Sequence, residues 1–325
     1  MKQRKYISEF ALNMHMTHDM LLQQDDLNKV GQMEYFDENN PCHIYIICKR
    51  PRIILNPQDF KIENGKIILP FQIQRQNKFE NIYRELPYGG DPDVILTSEY
   101  PFNFYEIKKS NGEIIQVGKS SMLFQTLPQY DYSILDLEVL YIGQSYGVEG
   151  ARTAPDRLKS HSTLQGIYSE AILRNPDSEI WLLLTSFEQI LLTIMDGRMK
   201  VSDEELKKDT EHLKKVTKTV VHVGLKEQQV INFTEAALIR YFQPPYNIEY
   251  KETFPNPAHS TYSECYELDI NSICIEVNTE NLNCRLYSST ILAHWWHMKD
   301  FFLHSKEERM SMFDFDYMLK HNDNK

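Results

Sequence analysis

The chain has 325 residues, of which 42% are hydrophobic, and it carries a formal net charge of −11. At about 100–200 residues per domain, this length predicts two or three domains, and the hydrophobic content excludes a chain that is disordered throughout. The acidic balance excludes general long-range attraction to nucleic acid, although a local basic patch or a bound cation can still make that contact.

Charge distribution and cysteine content narrow the class of protein further. Residues 1–125 hold 15 basic and 16 acidic side chains, whereas residues 126–325 hold 20 and 30. The five cysteines are odd in number and form no CxxC pair, which argues against a disulfide framework or a zinc ribbon. No run of about 18 apolar residues and no signal-peptide core occurs in the sequence. We therefore predict a cytoplasmic protein with no membrane partner.

The segment 1–125 predicts a β-rich N-terminal domain. Residues 1–40 have apolar side chains at irregular spacing and predict one or two helices. The pattern then changes to a period of two, which is typical of strands. The predicted strands are His43–Cys48, Arg52–Leu55, Asp59–Glu63, Lys66–Leu69, Phe71–Arg75, Asn103–Lys108 and Glu113–Val117. Asn64-Gly65 and Asn111-Gly112 predict tight hairpins between such runs. We expect this domain to recognise DNA or a partner.

Residues 126–251 alternate between strands and helices. A strand is predicted at Glu138–Gly143, and on the helix that follows, Arg157 and His161 share one face because they are four residues apart. After a second helical stretch, the apolar run Glu179–Phe187 predicts another strand. This order indicates a small αβ core.

An insertion at about 188–225 interrupts that core. Ser202 and Glu205 have the spacing of a capping box, which predicts the start of a helix ending at about Thr217. We expect this helix to lie on the surface because it has few apolar residues.

The next predicted helix, from about Lys226 to Phe242, is amphipathic. Ile231 and Leu238 lie one turn to either side of Glu235, so the spacing places Glu235 on the apolar face. A lone carboxylate there is costly to remove from water, and it needs a cation, a hydrogen-bond donor or an opening to solvent. Residues 252–325 predict strands and then a final helix, which together form a mixed C-terminal extension.

The middle third of the chain resembles the GIY-YIG nuclease superfamily. The matching residues, in the order of the family pattern, are Tyr141 in Tyr141-Ile142-Gly143, Arg157, His161, Glu235 and Asn247. The resemblance implies an α+β fold whose central core is a small antiparallel sheet flanked by helices. Around it lie the β-rich N-terminal domain and the C-terminal extension.

The resemblance also implies a role for each matching residue. Glu235 would anchor one Mg²⁺ or Mn²⁺, whose other ligands are water and phosphate. Arg157 would bind the phosphate through its forked donors, and His161 would bind phosphate or relay a proton. Asn247 would orient backbone or water near the metal. Tyr141 would act as the general base or position the attacking water.

Simpler interpretations of the same residues stay open. Glu235 can be an ion-paired or exposed helix residue, Arg157 can pair with Asp156, and His161 can be structural. Asn247 can be an ordinary residue of the turn after the helix.

The first motif of the family is missing, since no Gly-Ile-Tyr occurs in the chain. Tyr105, in Phe104-Tyr105-Glu106-Ile107, is the best substitute as a strand tyrosine, and Tyr130 and Tyr132 compete with it. A phenol of ordinary pKa is a poor base at pH 7, so a cation or Lys159 must assist the tyrosine.

A second nuclease-like pattern lies in the N-terminal segment. Asp93, followed by Glu106 and Lys108, satisfies the loose PD-(D/E)xK arrangement, in which two acids hold the metal and the lysine lies by the attacking water. It does not explain the residues from Arg157 to Asn247.

These observations predict metal-dependent phosphodiester hydrolysis of nucleic acid. The protein would be a DNA endonuclease of restriction or defence type, acting on double-stranded DNA and compatible with a homo-oligomer. The first alternative is a catalytically degenerate GIY-YIG module that binds nucleic acid or protein. The second is a PD-(D/E)xK nuclease that uses Asp93, Glu106 and Lys108.

Overall fold

The protein has a mixed α+β fold in which strands predominate. The computed structural model describes residues 5–30, 32–33, 35–37, 40–90, 92–129, 131–145, 154–158, 162–195, 197, 200–256 and 263–305. Within these residues, no helix is long and apolar enough to cross a membrane.

The N-terminal segment is mainly a strand, so the prediction of helices over residues 1–40 is wrong. β1 (Ser8–Leu22) has 15 residues, and only the short helix α1 (Leu27–Val30) follows it. β1 lies inside a sheet, and its residues from Ser8 to Met14 are buried on both faces. A strand that is buried on both faces lacks the alternation that reveals a strand in sequence.

The next strands confirm most of the predicted β pattern but merge several runs. They are β2 (Ile44–Leu55), β3 (Lys61–Glu63), β4 (Lys66–Arg75), β5 (Lys78–Pro87), β6 (Val94–Thr97), β7 (Phe104–Lys109) and β8 (Ile114–Lys119). The hairpin at Asn64-Gly65 is confirmed, because both residues have positive φ between β3 and β4. β5 and β6 were not predicted. Helix α2 (Ser120–Thr126) ends this region.

The central segment follows the predicted order of elements. It contains β9 (Leu137–Gln144), α3 (Ala154–Leu158), α4 (Ser162–Arg174), β10 (Ser178–Met195), α5 (Asp203–Thr217) and α6 (Glu227–Phe242). The capping box at Ser202 and Glu205 is confirmed. The prediction that α5 lies on the surface is only partly correct, since Asp209 and Val216 are buried.

The C-terminal part contains α7 (Ser263–Glu267), β11 (Ser272–Asn278), β12 (Leu286–Tyr287) and β13 (Trp296–Phe302). The final helix predicted for this segment is wrong at Trp296–Phe302, because these residues form β13, which pairs antiparallel with β11. Trp296 is exposed while His297 is buried, so neighbouring residues point to opposite faces, as in a strand.

One large sheet joins all three predicted segments. Its strand order is β12-β9-β2-β10-β1-β11-β13. β1 and β2 therefore lie in the same sheet as β9 and β10, and the sheet crosses the domain boundaries predicted after residues 125 and 251.

The sheet separates two cores, and a third lies in the N-terminal region. α6 packs on one face, where Ile142 and Leu238 belong to the same core. α3 and α4 pack on the other face, where Leu158 joins Tyr45. The second half of β2 pairs with β4, which begins a branch of the same sheet that also contains β3 and β5. The separate sheet β6-β7-β8 packs on this branch, in the core that contains Phe71.

Candidate active site

Two tyrosines lie side by side on neighbouring strands of the large sheet. β2 and β9 run antiparallel, with Tyr45 opposite Gly143 and Ile47 opposite Tyr141. Residues opposite each other on paired strands share one face of the sheet, and so do residues two positions apart on one strand. Tyr45 therefore shares a face with Gly143, and Gly143 with Tyr141, so both tyrosines are on the same face. Their ring centroids are 6.2 Å apart and their planes differ by 31°. The tyrosine nearest to Tyr141 on the neighbouring strand is thus Tyr45, in Ile44-Tyr45-Ile46. We did not identify Tyr45 from the sequence.

Gly143 makes room for this pair. A Cβ atom at Gly143 would lie 2.5 Å from the hydroxyl oxygen of Tyr45 and 2.8 Å from a ring carbon of Tyr141. Both distances are too short for non-bonded atoms. The glycine of the Tyr-Ile-Gly run is therefore required by the close approach of Tyr45.

Arg157 reaches the tyrosine pair from α3. Its Nε donates a hydrogen bond to the hydroxyl oxygen of Tyr45 at 3.1 Å. α3 is held in place because Ala154 and Leu158 are buried in the core on that face, and the Ala154 N–H donates to the carbonyl oxygen of Cys42 at 2.9 Å. Arg157 is half-buried.

Glu235 approaches from α6 on the other side of the sheet. Nε2 of Gln144, at the end of β9, donates to Oε2 of Glu235 at 2.6 Å and also contacts Oδ1 of Asn232 at 2.9 Å. The prediction that Glu235 lies on the apolar face of its helix is confirmed, since its exposed fraction is 9%. Burial raises the pKa of the Glu235 carboxyl to about 7, although Gln144 and Arg157 act to lower it.

The electrostatic environment couples these groups. Burial raises the pKa of both Tyr45 and Tyr141, and the nearby Glu235 carboxylate raises it further. Arg157 acts in the opposite direction, through its charge and through hydrogen bonds to both phenols. At neutral pH both tyrosines are protonated; Arg157 favours the ionisation of both, and a hydrogen bond with Tyr45 also favours that of Tyr141.

Asn247 contacts the backbone of β9 and none of these side chains. Its Nδ2 donates to the carbonyl oxygen of Ile142 at 2.8 Å, and its Oδ1 accepts from the Ile142 N–H at 2.9 Å. Both ends of the buried amide are thus occupied by the backbone N–H and C=O of a single residue, Ile142. The geometry is that of a residue that holds the strand of Tyr141 in place.

The outcome differs for the other predicted residues. His161 lies outside the described residues, as does Lys159. Tyr105 lies in β7 and is 3% exposed within the core around Phe71 and Phe124, so the structure does not bring it to Tyr141. Its burial in the core of a separate sheet is the physical reason for this correction.

The residues of the PD-(D/E)xK pattern lie on the sheet β6-β7-β8. Glu106 and Lys108 project from the same face of β7, are about one-third exposed and form an ion pair with each other. Asp93 immediately precedes β6, which pairs with β7. This arrangement has no deeply buried carboxylate.

Glu235 is the carboxylate of this cluster that could serve as a ligand of a divalent cation. Among the described residues, no group of three or more His, Cys, Asp or Glu side chains could hold a metal together. Mg²⁺ is commonly bound by one or two carboxylates while it keeps several waters. Glu235 supplies one oxygen-donor carboxylate whose ionisation is resisted by burial, and a cation would favour the ionised form.

Comparisons with known proteins give no family for the chain: no protein-family model, no curated protein and no solved structure matches it.

Proposed function

We propose that this protein is a metal-dependent nuclease of the GIY-YIG type that hydrolyses phosphodiester bonds in DNA. The observation that supports the proposal is the convergence of Tyr45, Tyr141, Arg157 and Glu235 from β2, β9, α3 and α6. Each of these groups has a role in phosphodiester hydrolysis, and they come from parts of the chain up to 190 residues apart.

The tyrosine pair supports the proposal because it supplies what the sequence lacked. The family has a tyrosine in each of its first two motifs, and Tyr45 occupies the strand next to Tyr141. β9, β2 and β10 form an antiparallel arrangement, with α3 and α4 on one face and α6 on the other. Within the larger sheet, this antiparallel part with helices on both faces supports the core that the resemblance implies.

Arg157 binds the scissile phosphate in this proposal. A guanidinium has five N–H donors, and the hydrogen bond from Nε to Tyr45 fixes the orientation of the group. The same side chain stabilises negative charge on the phenol and on the phosphate, which places the substrate beside the tyrosines.

Glu235 would hold Mg²⁺ or Mn²⁺, and the bound ion would supply a positive charge for the phosphate oxygens and for the leaving oxygen. In the absence of a cation, Glu235 raises the pKa of both tyrosines. Neutralising this carboxylate therefore favours loss of a phenolic proton to solvent, and only the resulting phenolate can act as a base. The phenolate of Tyr45 or Tyr141 would take the proton from the attacking water and return to the neutral phenol; a protonated tyrosine would instead orient that water through its hydroxyl.

Cleavage of supercoiled plasmid DNA tests the proposal. We expect nicking or linearisation with Mg²⁺ or Mn²⁺, none with EDTA, and none by Glu235→Gln in any condition. Glu204→Gln is the matched control, because Glu204 is an exposed helix residue paired with Lys208, and it should cut at the wild-type rate. A Glu235→Gln variant that cuts like the wild type would refute the metal assignment.

A degenerate GIY-YIG module that only binds nucleic acid or protein gives a different result. Such a module would show no cleavage by the wild type, and its affinity for DNA would be the same with Ca²⁺ and with EDTA.

A further inference from the structure

A small cavity lies on the outer face of the N-terminal β region, apart from the candidate active site. It has a volume of about 320 Å³, and its lining includes Arg52, Gln58, Gln72, Gln74, Phe79 and Tyr100. Successive side chains along a strand point to opposite faces of the sheet. Ile53, Phe71 and Ile73 point into the core, whereas Arg52, Gln72 and Gln74 point outward and line the cavity.

The strand register places the lining side chains in rows. Arg52 of β2 is opposite Gln74 of β4, and Gln74 is opposite Phe79 of β5. In the next row, Gln72 of β4 is opposite Asn81 of β5. The face therefore carries a guanidinium, several amides and an aromatic ring on a rigid sheet.

Aromatic rings are exposed at the rim of the cavity. Phe79 is 52% exposed, and Tyr100, in the loop before β7, is 87% exposed. Nη2 of Arg52 donates to the carbonyl oxygen of Pro101 at 3.2 Å, which ties that loop to the sheet. Exposed rings of this kind are surfaces on which a planar ligand can stack.

The amides have hydrogen-bonding capacity left for a ligand. Gln72 donates through Nε2 to Oδ1 of Asn81 at 3.0 Å, and Gln74 donates to the carbonyl oxygen of Gln76 at 3.2 Å. The carbonyl oxygens of both glutamine side chains accept no hydrogen bond from the residues that the structure describes. An amide that offers a donor and an acceptor side by side is suited to the edge of a nucleobase.

The charge of the cavity suits an anionic polymer. Arg52 is the single charged residue of the lining, and no carboxylate contributes to it. Three larger cavities in the described part of the chain each contain carboxylates, for example Asp25, Asp269 and Glu138. In a chain of net charge −11, the lining of this cavity places no carboxylate against a bound phosphate.

We propose that this cavity binds one unpaired nucleobase of a single-stranded segment of nucleic acid. The base stacks on Phe79 or Tyr100, Gln72 and Gln74 contact its edge, and Arg52 faces the backbone. The volume is near the lower limit of about 300 Å³ for ligand sites, which suits a single base rather than a duplex. The inference rests on the proposed function, since it concerns the nucleic acid on which that site acts.

Binding measurements on the full chain test this inference. All proteins carry Glu235→Gln, and all titrations are made in EDTA, so that the candidate metal site contributes nothing. Fluorescence anisotropy follows a labelled single-stranded oligodeoxynucleotide of about 15 nucleotides and the blunt duplex of the same sequence. The test variant is Phe79→Ala with Tyr100→Ala, and Tyr100→Ala alone serves if the double variant unfolds.

Tyr83→Ala is the matched control. Tyr83 lies on the same face of β5 and is 49% exposed, but it is outside the cavity. Because stacking on an aromatic side chain contributes about 1–3 kcal/mol per base, we expect the double variant to bind the single strand at least about fivefold more weakly. Tyr83→Ala should bind it with unchanged affinity, and duplex affinity should be equal in all proteins.

Three results would overturn the inference. The first is that the parent protein does not bind the single strand. The second is that Tyr83→Ala weakens single-strand binding as much as the double variant does. The third is that the double variant weakens duplex binding as much as single-strand binding. Plasmid cleavage by the wild type is measured separately. If the wild type cleaves plasmid but the double variant binds the single strand as tightly as the parent protein, only this inference is refuted. A non-cutting protein whose single-strand binding depends on the cavity refutes only the proposed function.

Discussion

Two regions of this protein carry a nuclease-like pattern of residues, and they differ in how deeply the side chains are buried. The cluster of Tyr45, Tyr141, Arg157 and Glu235 comes from four elements and is largely buried. Glu106 and Lys108 of the second pattern lie two residues apart on one strand, facing solvent and paired with each other.

The comparison shows that burial distinguishes a candidate catalytic residue from one that only has the right spacing. Removing Glu235 from water raises its pKa to about 7, and perturbed groups of this kind cluster at functional sites. An exposed ion pair such as Glu106–Lys108 contributes little energy and needs no function to explain it. Residues that are costly to bury are therefore better candidates for catalysis than residues that merely have the right spacing.

The largest expected effect separates the two patterns directly. Arg157→Ala should reduce plasmid cleavage by about 10²–10³-fold, because it removes a preorganised cation from the phosphate. Lys108→Ala, which breaks only an exposed ion pair, should leave the cleavage rate unchanged. Initial rates at equal enzyme concentration, with circular dichroism as the folding check, decide between them. The reverse ranking in two folded variants would move the active site to the sheet β6-β7-β8.

The next effect concerns the choice of tyrosine. Tyr45→Phe keeps the ring and removes the hydroxyl that Arg157 contacts, so we expect cleavage to fall by about 10²-fold, the lower range for loss of a general base. Tyr105→Phe, in the core around Phe71, should cut normally. Cleavage that depends on Tyr105 and not on Tyr45 would contradict the arrangement of the site.

A third expected effect concerns the free energy of unfolding, and it can be measured whether or not the protein has nuclease activity. The folded-state pKa of Glu235, about 7, is above its ordinary value of 4.5. The neutral acid is therefore favoured in the folded state, and this stability is fully present below pH 4.5 and is lost as pH rises through 7. Glu235→Gln avoids that loss, so its advantage over the wild type should grow by about 2–3 kcal/mol between pH 4.5 and pH 8.

Urea unfolding in EDTA at both pH values measures this difference. Glu106→Gln is the control, because that carboxylate is about one-third exposed, and it should show no such trend. Mg²⁺ added at pH 8 should stabilise the wild type and not Glu235→Gln. A pH trend that is identical in the wild type and in Glu235→Gln would show that the carboxyl is not titrating as described.

The smallest effect uses two glycines that face tyrosines. A Cβ at Gly143 would lie 2.5 Å from the Tyr45 hydroxyl oxygen, whereas a Cβ at Gly118 would lie 3.6 Å from the Tyr105 ring. Gly143→Ala must displace Tyr45, and since a 1 Å misplacement can cost about a hundredfold, we expect a loss on the order of tenfold in cleavage. Gly118→Ala should have no effect on cleavage. Equal activity of the two variants would show that the tyrosine pair tolerates displacement.

The sequence by itself determined the elements whose signals are local. Asn64-Gly65 specified a hairpin because both residues accept positive φ, and Ser202 with Glu205 specified a helix start through their own hydrogen bonds. The position of Glu235 on the apolar face of α6 followed from helical spacing alone. Such features depend on residues within a few positions of each other, so no tertiary information is needed.

The tertiary structure decided what depends on distant pairing. β1 pairs with β10 and β11 inside the sheet, and its residues from Ser8 to Met14 are buried on both faces, so the sequence lacks the alternation typical of a strand. Tyr45 is separated from Tyr141 by the whole N-terminal β region, and only the register of β2 against β9 brings them together. Tyr105 had the local sequence of a strand tyrosine but pairs within a different sheet. Strand register is set by side chains far apart in the chain, which is why spacing could suggest the site but could not select its first tyrosine.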